Sequence, residues 1–366
     1  MKKCIVYFPF KIHEEHPSAS NLRPIKIVKG FKELGYEVEV IKGYAAERKN
    51  TIKKLENKIE NGEKFDFIYM ESSTEPTLLT ESHHIPIHPF FDFKFLKFCR
   101  KRGIKVGLFY RDIHWRFSQY KNTVSTPKRA IAYTFYYYDL LKYKSSIDVL
   151  YLPSLRMEKY IPIKLNKPIL ELPSGCEFIE ATGQLDISKD KFSILYVGGL
   201  NRELYNIEEM VKAVANNERF TLTICCRQEE WEANKGYYYE YLNDRIKIIH
   251  ESGNELDKIA ISADMFSLIV EPTSYWEFAI PMKLFSYISY GKPILGVSNT
   301  ACGEFIEKNN IGYTTKYNEE NIENILKYVE KNYSKDYDRM KLAMSEAFEN
   351  NTWEKRAYAV VRSLHK

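Results

Sequence analysis

At 366 residues the chain is too long for one hydrophobic core and suits two domains of ordinary size. Hydrophobic residues at 44% and charged residues at 28% are globular values, which excludes a disordered or fibrous chain. A net charge of only +5 excludes a nucleic-acid binder by composition and leaves room for a mildly basic face toward anionic lipid.

The six cysteines, at 4, 99, 176, 225, 226 and 302, form no CxxC pair and no metal spacing, so buried thiols in a reducing cytoplasm are expected. The opening MKKCIVYFPFKIHEEH has too short an apolar core and no small-residue cleavage site for a signal peptide. No run of ~18 apolar residues occurs, so no spanning helix is expected. The expected location is cytoplasmic, at most on the inner face of the plasma membrane.

Cys4–Phe10 reads as a buried strand, Lys11–Asn21 as a polar loop and Leu22–Leu34 as a helix closed by Gly35. Ser20 or Asn21 can cap that helix. Val38–Ile41 is the next strand, residues 45–64 a charged helix, and Phe65–Met70 a third strand. The segment Glu81-Ser-His-His-Ile-Pro-Ile-His88-Pro89 gathers three histidines. Its two prolines forbid helical ligand spacing and no thiol completes a metal set, so a surface loop is expected and no metal.

Lys105–Tyr110 is a strand, and Arg111-Asp112-Ile113-His114-Trp115-Arg116 follows at its carboxyl end. An open α/β sheet keeps its reactive side chains at such ends. Asp112 or His114 can take a proton from an acceptor hydroxyl, and Arg111 or Arg116 can bind an anionic acceptor group. A structural Arg–Asp pair is the plainer alternative. Arg129–Lys144 reads as a helix dense in tyrosine with basic ends, suited to a membrane surface or to a buried aromatic face. Ile147–Leu152 and Ile169–Pro173 are further strands. Residues 178–191 are polar and aperiodic, as a linker is, which sets a boundary near 180.

The second half opens with the strand Phe192–Val197, the pair Gly198-Gly199, then Arg202 and a helix from Ile207. Glycines after a first strand let the backbone approach phosphate oxygens. Thr221–Cys226 is a strand ending at Arg227, a second phosphate or base candidate. Arg245–His250 is another strand, and Met265–Val270 a buried one. A polar-aromatic loop then delivers Glu277 ahead of Pro281. Met282–Tyr290 reads as a helix with Pro281 at its start and Gly291 as its left-handed stop. Its amino terminus favours an anion and Lys283 adds a positive charge. Lys283, Ser286 and Tyr287 share one face by spacing, leaving Met282, Phe285 and Ile288–Ser289 for the core. An ordinary amphipathic helix of a β-α-β unit is the alternative. A strand at Ile311–Thr315, helices at Glu319–Lys331 and Asp336–Asn350, and a last helix at Trp353–Leu364 complete the chain. Asp336-Tyr337-Asp338 reads as solvated surface.

Pro281-Met-Lys283-Leu-Phe-Ser286-Tyr287, with Tyr290-Gly291-Lys292-Pro293, resembles the signature P-x-K-L-x-E-Y-x-x-x-G-x-P. That signature belongs to bacterial GT-B glycosyltransferases related to the large retaining family of polysaccharide-assembly enzymes. Leu172-Pro173-Ser174-Gly175-Cys176-Glu177 likewise resembles the turn that ends the first domain of that fold. The resemblance implies two Rossmann-like domains facing each other across a cleft. Residues 1–180 would form the acceptor side, with the helix 352–366 packing back on it, and residues 181–351 would bind the nucleotide sugar.

It further implies a metal-independent transferase with no cofactor beyond its UDP- or GDP-linked donor, retaining in stereochemistry. The acceptor would be a saccharide or a lipid-linked one. Glu277 would address the donor sugar, one residue off the usual spacing. Gly198, Gly199, Arg202, Arg227, Lys283, Ser286 and Tyr287 would line the donor, and Ser18, Ser20, Asn21, Arg23, Arg111 and Arg116 the acceptor. Ser286 departs from the family's ribose-binding glutamate, and a hydroxyl cannot accept from two ribose hydroxyls as a carboxylate does. A catalytically silent subunit and a nucleotide-sugar 2-epimerase are the rival expectations.

Overall fold

The computed structural model describes residues 2–13, 19–179 and 191–365. Ser18 and most of the expected linker lie outside the described residues. The chain separates into two compact units, residues 1–175 with 352–366 and residues 176–351.

The first unit is built on six parallel strands: β1 (Lys2–Tyr7), β2 (Tyr36–Ile41), β3 (Phe67–Glu71), β4 (Lys105–Phe109), β5 (Val149–Leu152) and β6 (Ile169–Glu171). Their order is β2-β1-β3-β4-β5-β6. The runs Cys4–Tyr7, Phe67–Glu71 and Val106–Phe109 are buried throughout, as strands covered by helices on both faces must be. The strand order reverses between β1 and β3, and ligands of open α/β sheets bind outside the carboxyl ends of the strands at such a switch point. The last helix, Trp353–Leu364, packs on the helix Ala19–Glu33 within this unit. A Cβ on Gly30 would stand 2.6 Å from the Trp353 carbonyl oxygen, so a side chain there would separate the two helices.

The second unit repeats the plan with β7 (Phe192–Val197), β8 (Phe220–Cys225), β9 (Ile246–Ile249), β10 (Met265–Ser267), β11 (Ile294–Val297) and β12 (Gly312–Thr315). Their order is β12-β11-β10-β7-β8-β9, again all parallel. Here the switch point falls between β7 and β10. Gly198-Gly199 follows β7, and the loop to Pro281 follows β10.

Three expectations change. The helices expected at Glu319–Lys331 and Asp336–Asn350 are one helix, Glu319–Asn350. No glycine or proline lies between them, and buried Ile322, Leu326, Val329, Tyr333, Asp336, Met340, Met344 and Ala347 keep one stripe at spacings of three and four. Asp336 is therefore not solvated surface: it is 9% exposed and accepts from the Tyr313 hydroxyl at 3.3 Å. The helix at Ala19–Glu33 begins early enough to place Ser20 and Asn21 inside its first turn, and the Asn21 carboxamide oxygen accepts the His13 N–H instead of capping.

The tyrosine-dense helix runs Thr126–Ser146. Tyr136, Asp139, Leu140 and Tyr143 are buried, while Ile131 and Leu141 are more than half exposed. Among the described residues no helix is long and apolar enough to cross a membrane.

Candidate functional site

At the switch point of the second unit, Lys283 stands in the first turn of the helix Met282–Ser289, which starts at the extended Pro281. Its ammonium donates to the Val197 carbonyl at 3.3 Å, at the end of β7. It also lies over the rings of Tyr196, 4.7 Å from the centroid, and Tyr205, at 5.5 Å. Among the described residues no carboxylate pairs with it. Burial without a counter-charge pulls its pKa down to about 8.

The glycine pair faces that lysine. A Cβ on Gly198 would stand 2.7 Å from the Lys283 nitrogen and 2.9 Å from the Tyr196 hydroxyl, so only glycine lets the ammonium lie across the turn. The Tyr196 hydroxyl donates to the Gly199 carbonyl at 2.7 Å and fixes the turn. Tyr287 is 2% exposed, its ring stacked on Phe266 with centroids 4.1 Å apart. Its hydroxyl accepts the Val197 N–H at 3.1 Å. Tyr287 thus shares with Lys283 the face turned to the Val197 end of β7, as the spacing implies, while being buried beside Leu284 and Ile288, and Met282 is only half-buried. In an eight-residue helix the core arc is wide enough to take in a tyrosine whose hydroxyl finds a backbone partner.

The remaining donor-side candidates are spread around this centre. Ser286 is half-buried and its hydroxyl reaches back toward the Met282 carbonyl at 3.5 Å, on its own helix. Arg202 pairs with Glu208 at 2.9 Å and lies over the Tyr237 ring at 4.2 Å. Arg227 is exposed, 3.9 Å from Glu230. Glu277 is half-buried in the loop after β10. That loop is anchored by Trp276, whose indole N–H donates to the Leu204 carbonyl at 2.8 Å. Beside it the hydroxyl of Thr273 is buried with no hydrogen-bond partner.

In the first unit the switch point opens into a pocket of about 280 Å³, whose lining includes Lys11, His13, Ser20, Asn21, Glu75 and Arg111. Behind Arg111 lies a buried charged network that the sequence did not announce. Glu71, the last residue of β3, is fully buried and accepts from Arg23 Nε at 3.2 Å, Arg111 Nη2 at 2.9 Å and the Tyr69 hydroxyl at 2.8 Å. Arg23 is 4% exposed; it also donates to Ser174 Oγ and the Leu172 carbonyl and stacks 3.7 Å from the Phe109 centroid. Its guanidinium is fully engaged. Arg111 also donates to the Ser20 carbonyl, while its Nε is buried without a partner at the pocket wall.

The acid–imidazole pair lies outside that lining. Asp112 Oδ1 accepts the N–H groups of Ile113 and His114 at 2.6 and 3.0 Å, which starts the short turn His114–Arg116. His114 Nδ1 is 3.9 Å from Asp112 Oδ2, and its ring meets the edges of Tyr120 and Tyr136. Burial lowers the His114 pKa, which favours the neutral imidazole, the form able to take a proton. Arg116 is exposed, over the ring of buried Trp115. The cluster is thus split: Arg111 faces the pocket, Asp112 and His114 a separate aromatic wall.

Among the described residues the three histidines do not converge. His84 bonds to the Leu79 carbonyl and His88 packs on Phe91. The acids that do converge, Glu37, Glu39 and Glu63, are paired with Lys3 and Lys58. Sequence reading missed Glu71, Glu230 and the tyrosines around Lys283. An acid closing the apolar run Phe67–Met70 was the one available signal for Glu71.

No family model matches the sequence, and no curated protein matches it. Solved structures do, over the full chain. A glycosyltransferase from Rickettsia africae aligns at a TM-score of 0.66 and 12% identity, covering 100% of this chain and 99% of its own. HepE from Anabaena, solved in complex with UDP and glucose, aligns at 0.65 and 12%, covering 99% of each chain. A sucrose-phosphate synthase from Thermosynechococcus elongatus aligns at 0.64 and 13%, covering 99% and 98%. These likenesses establish the fold: the chain has the GT-B architecture of two Rossmann-like domains.

Proposed function

We propose that the protein is a glycosyltransferase that takes a sugar from a UDP- or GDP-linked donor. The observation that carries this reading is Lys283, a half-buried lysine with no carboxylate partner among the described residues, lying across a glycine turn at a Rossmann switch point. A diphosphate docked there would meet that charge, the glycine-turn backbone and the amino end of the helix Met282–Ser289. In the transfer, those groups would offset the charge that develops on the leaving nucleoside diphosphate. The complexes of HepE with UDP and with UDP-glucose support the same ligand class for this fold.

Glu277 is the residue we assign to the donor sugar, with Ser286 beside the ribose. Arg202 and Arg227 are the second cations, once released from their present partners. The pocket of the first unit is the acceptor side, with Ser20, Asn21 and Arg111 at its wall and Arg23 behind it. Arg116 offers a further cation to an anionic acceptor. Asp112 or His114 takes the acceptor proton. Retention and independence from metal belong to this reading through the signature at 281–293. So does an acceptor that is a saccharide or is lipid-linked in surface polysaccharide assembly. For a lipid-linked acceptor the exposed Ile131 and Leu141, beside Lys128, Arg129 and Lys142, provide a membrane-facing surface. Flotation with anionic vesicles is expected to carry the protein; recovery of all protein in the soluble fraction removes the membrane contact.

Ser286, turned toward its own helix carbonyl, favours one second reading, a silent subunit that binds nucleotide weakly or not at all. A thermal-shift panel of UDP, GDP and their sugars separates the two. Stabilisation by one nucleotide series is expected for the transferase. No shift with any of them would favour the silent subunit.

A further inference from the structure

The glycine turn after β7 already holds a carboxylate. Glu230, on the helix Gln228–Asn234, accepts the Leu200 N–H at 2.8 Å through Oε2. The same oxygen lies 2.8 Å from where a Cβ would stand on Gly199, so the missing side chain is what admits it. Its other oxygen is 3.9 Å from Arg227, whose side chain is 74% exposed. The helix that presents Glu230 is held by Trp231, buried and stacked on Tyr238.

We propose that Glu230 is a specificity-determining residue that stands in the phosphate position of the glycine turn and must be displaced by the donor's diphosphate. This rests on the donor-site reading above. An N–H that bonds a carboxylate offers the same charge-assisted hydrogen bond to a phosphate oxygen, and the two anions cannot share it. Displacement turns Glu230 off the Leu200 N–H and releases Arg227 to the donor. A nucleoside without phosphates has no need to move Glu230, whereas a nucleoside diphosphate does. The residue therefore weakens diphosphate binding selectively and keeps product nucleoside diphosphate from lingering.

Glu230→Gln tests this, because the amide oxygen still accepts the Leu200 N–H while the charge is gone. Calorimetric titration of the full chain with UDP, GDP, uridine and guanosine is compared for wild type, Glu230→Gln and Glu230→Ala. The nucleoside diphosphate that binds is expected to tighten roughly tenfold in both variants, with its nucleoside unchanged within about twofold. Unchanged or weaker diphosphate binding in Glu230→Gln overturns the proposal. An equal gain for the nucleoside also overturns it, since that reports a structural change. If no nucleoside diphosphate binds wild type or either variant, the donor-site reading itself fails, an outcome distinct from the other two.

Discussion

Replacing Lys283 with alanine is expected to lower sugar transfer by about 100-fold or more, the scale of losing one donor aimed at developing charge. Lys283 contributes both a charge and a stem packed against Tyr196 and Tyr205. Lys283→Met keeps the stem and removes only the charge, so it should lose nearly as much activity as alanine while keeping more stability. The pH profile carries the same signature. Burial holds the pKa near 8, so raising the pH from 7 to 9 discharges the ammonium, and affinity for nucleoside diphosphate should fall across that window in wild type. The Lys283→Met profile should be flat there. Linkage gives the stability effect the opposite sense. Between about 8 and the ordinary lysine value the folded chain binds fewer protons than the unfolded one, so stability rises with pH through that window. Near-normal turnover in Lys283→Ala would remove the residue from the phosphate role.

Glu71→Ala is expected to destabilise the protein by about 3–5 kcal/mol, because it leaves the charges of Arg23 and Arg111 buried without their shared partner. For a unit of this size that corresponds to a fall in melting temperature of roughly 10 °C. Arg23 would keep its contacts to Leu172 and Ser174, and Arg111 its contact to Ser20. Arg111 would nevertheless lose the anchor that sets its guanidinium against the pocket. Glu71→Gln retains an acceptor and should fall between wild type and alanine. A loss below about 1 kcal/mol for alanine, measured by thermal unfolding, would show that the arginines are solvated or re-paired and that Glu71 does not anchor Arg111 at the pocket wall.

These two residues differ in how far the sequence announced them. Lys283 was legible because its neighbours are local: Pro281 opens the helix, Gly291 ends it at φ +65°, and the lysine falls in the first turn. The strands were legible for the same reason, since apolar runs such as Val106–Phe109 can only be buried. Glu71 was not, because its partners stand 48 and 40 positions away at Arg23 and Arg111, and only the fold brings them together. Glu230 lies 30 positions from the amide it occupies and reads as one more acid on a charged helix. Asp336 misled in the opposite sense: a charged run looks solvated until a continuous 32-residue helix turns one of its acids inward. Side-chain alternatives within the Arg111–Arg116 cluster were equally closed to sequence, since one strand end sends Arg111 to the pocket and His114 to an aromatic wall.

The most direct measurement of the central claim is release of free nucleoside diphosphate from UDP- and GDP-sugars by the purified full chain, with Lys283→Met alongside. Slow hydrolysis of one donor series by wild type, lost in the variant, is the predicted result. Absence of release from every donor, together with absence of nucleotide binding, would contradict the transferase assignment.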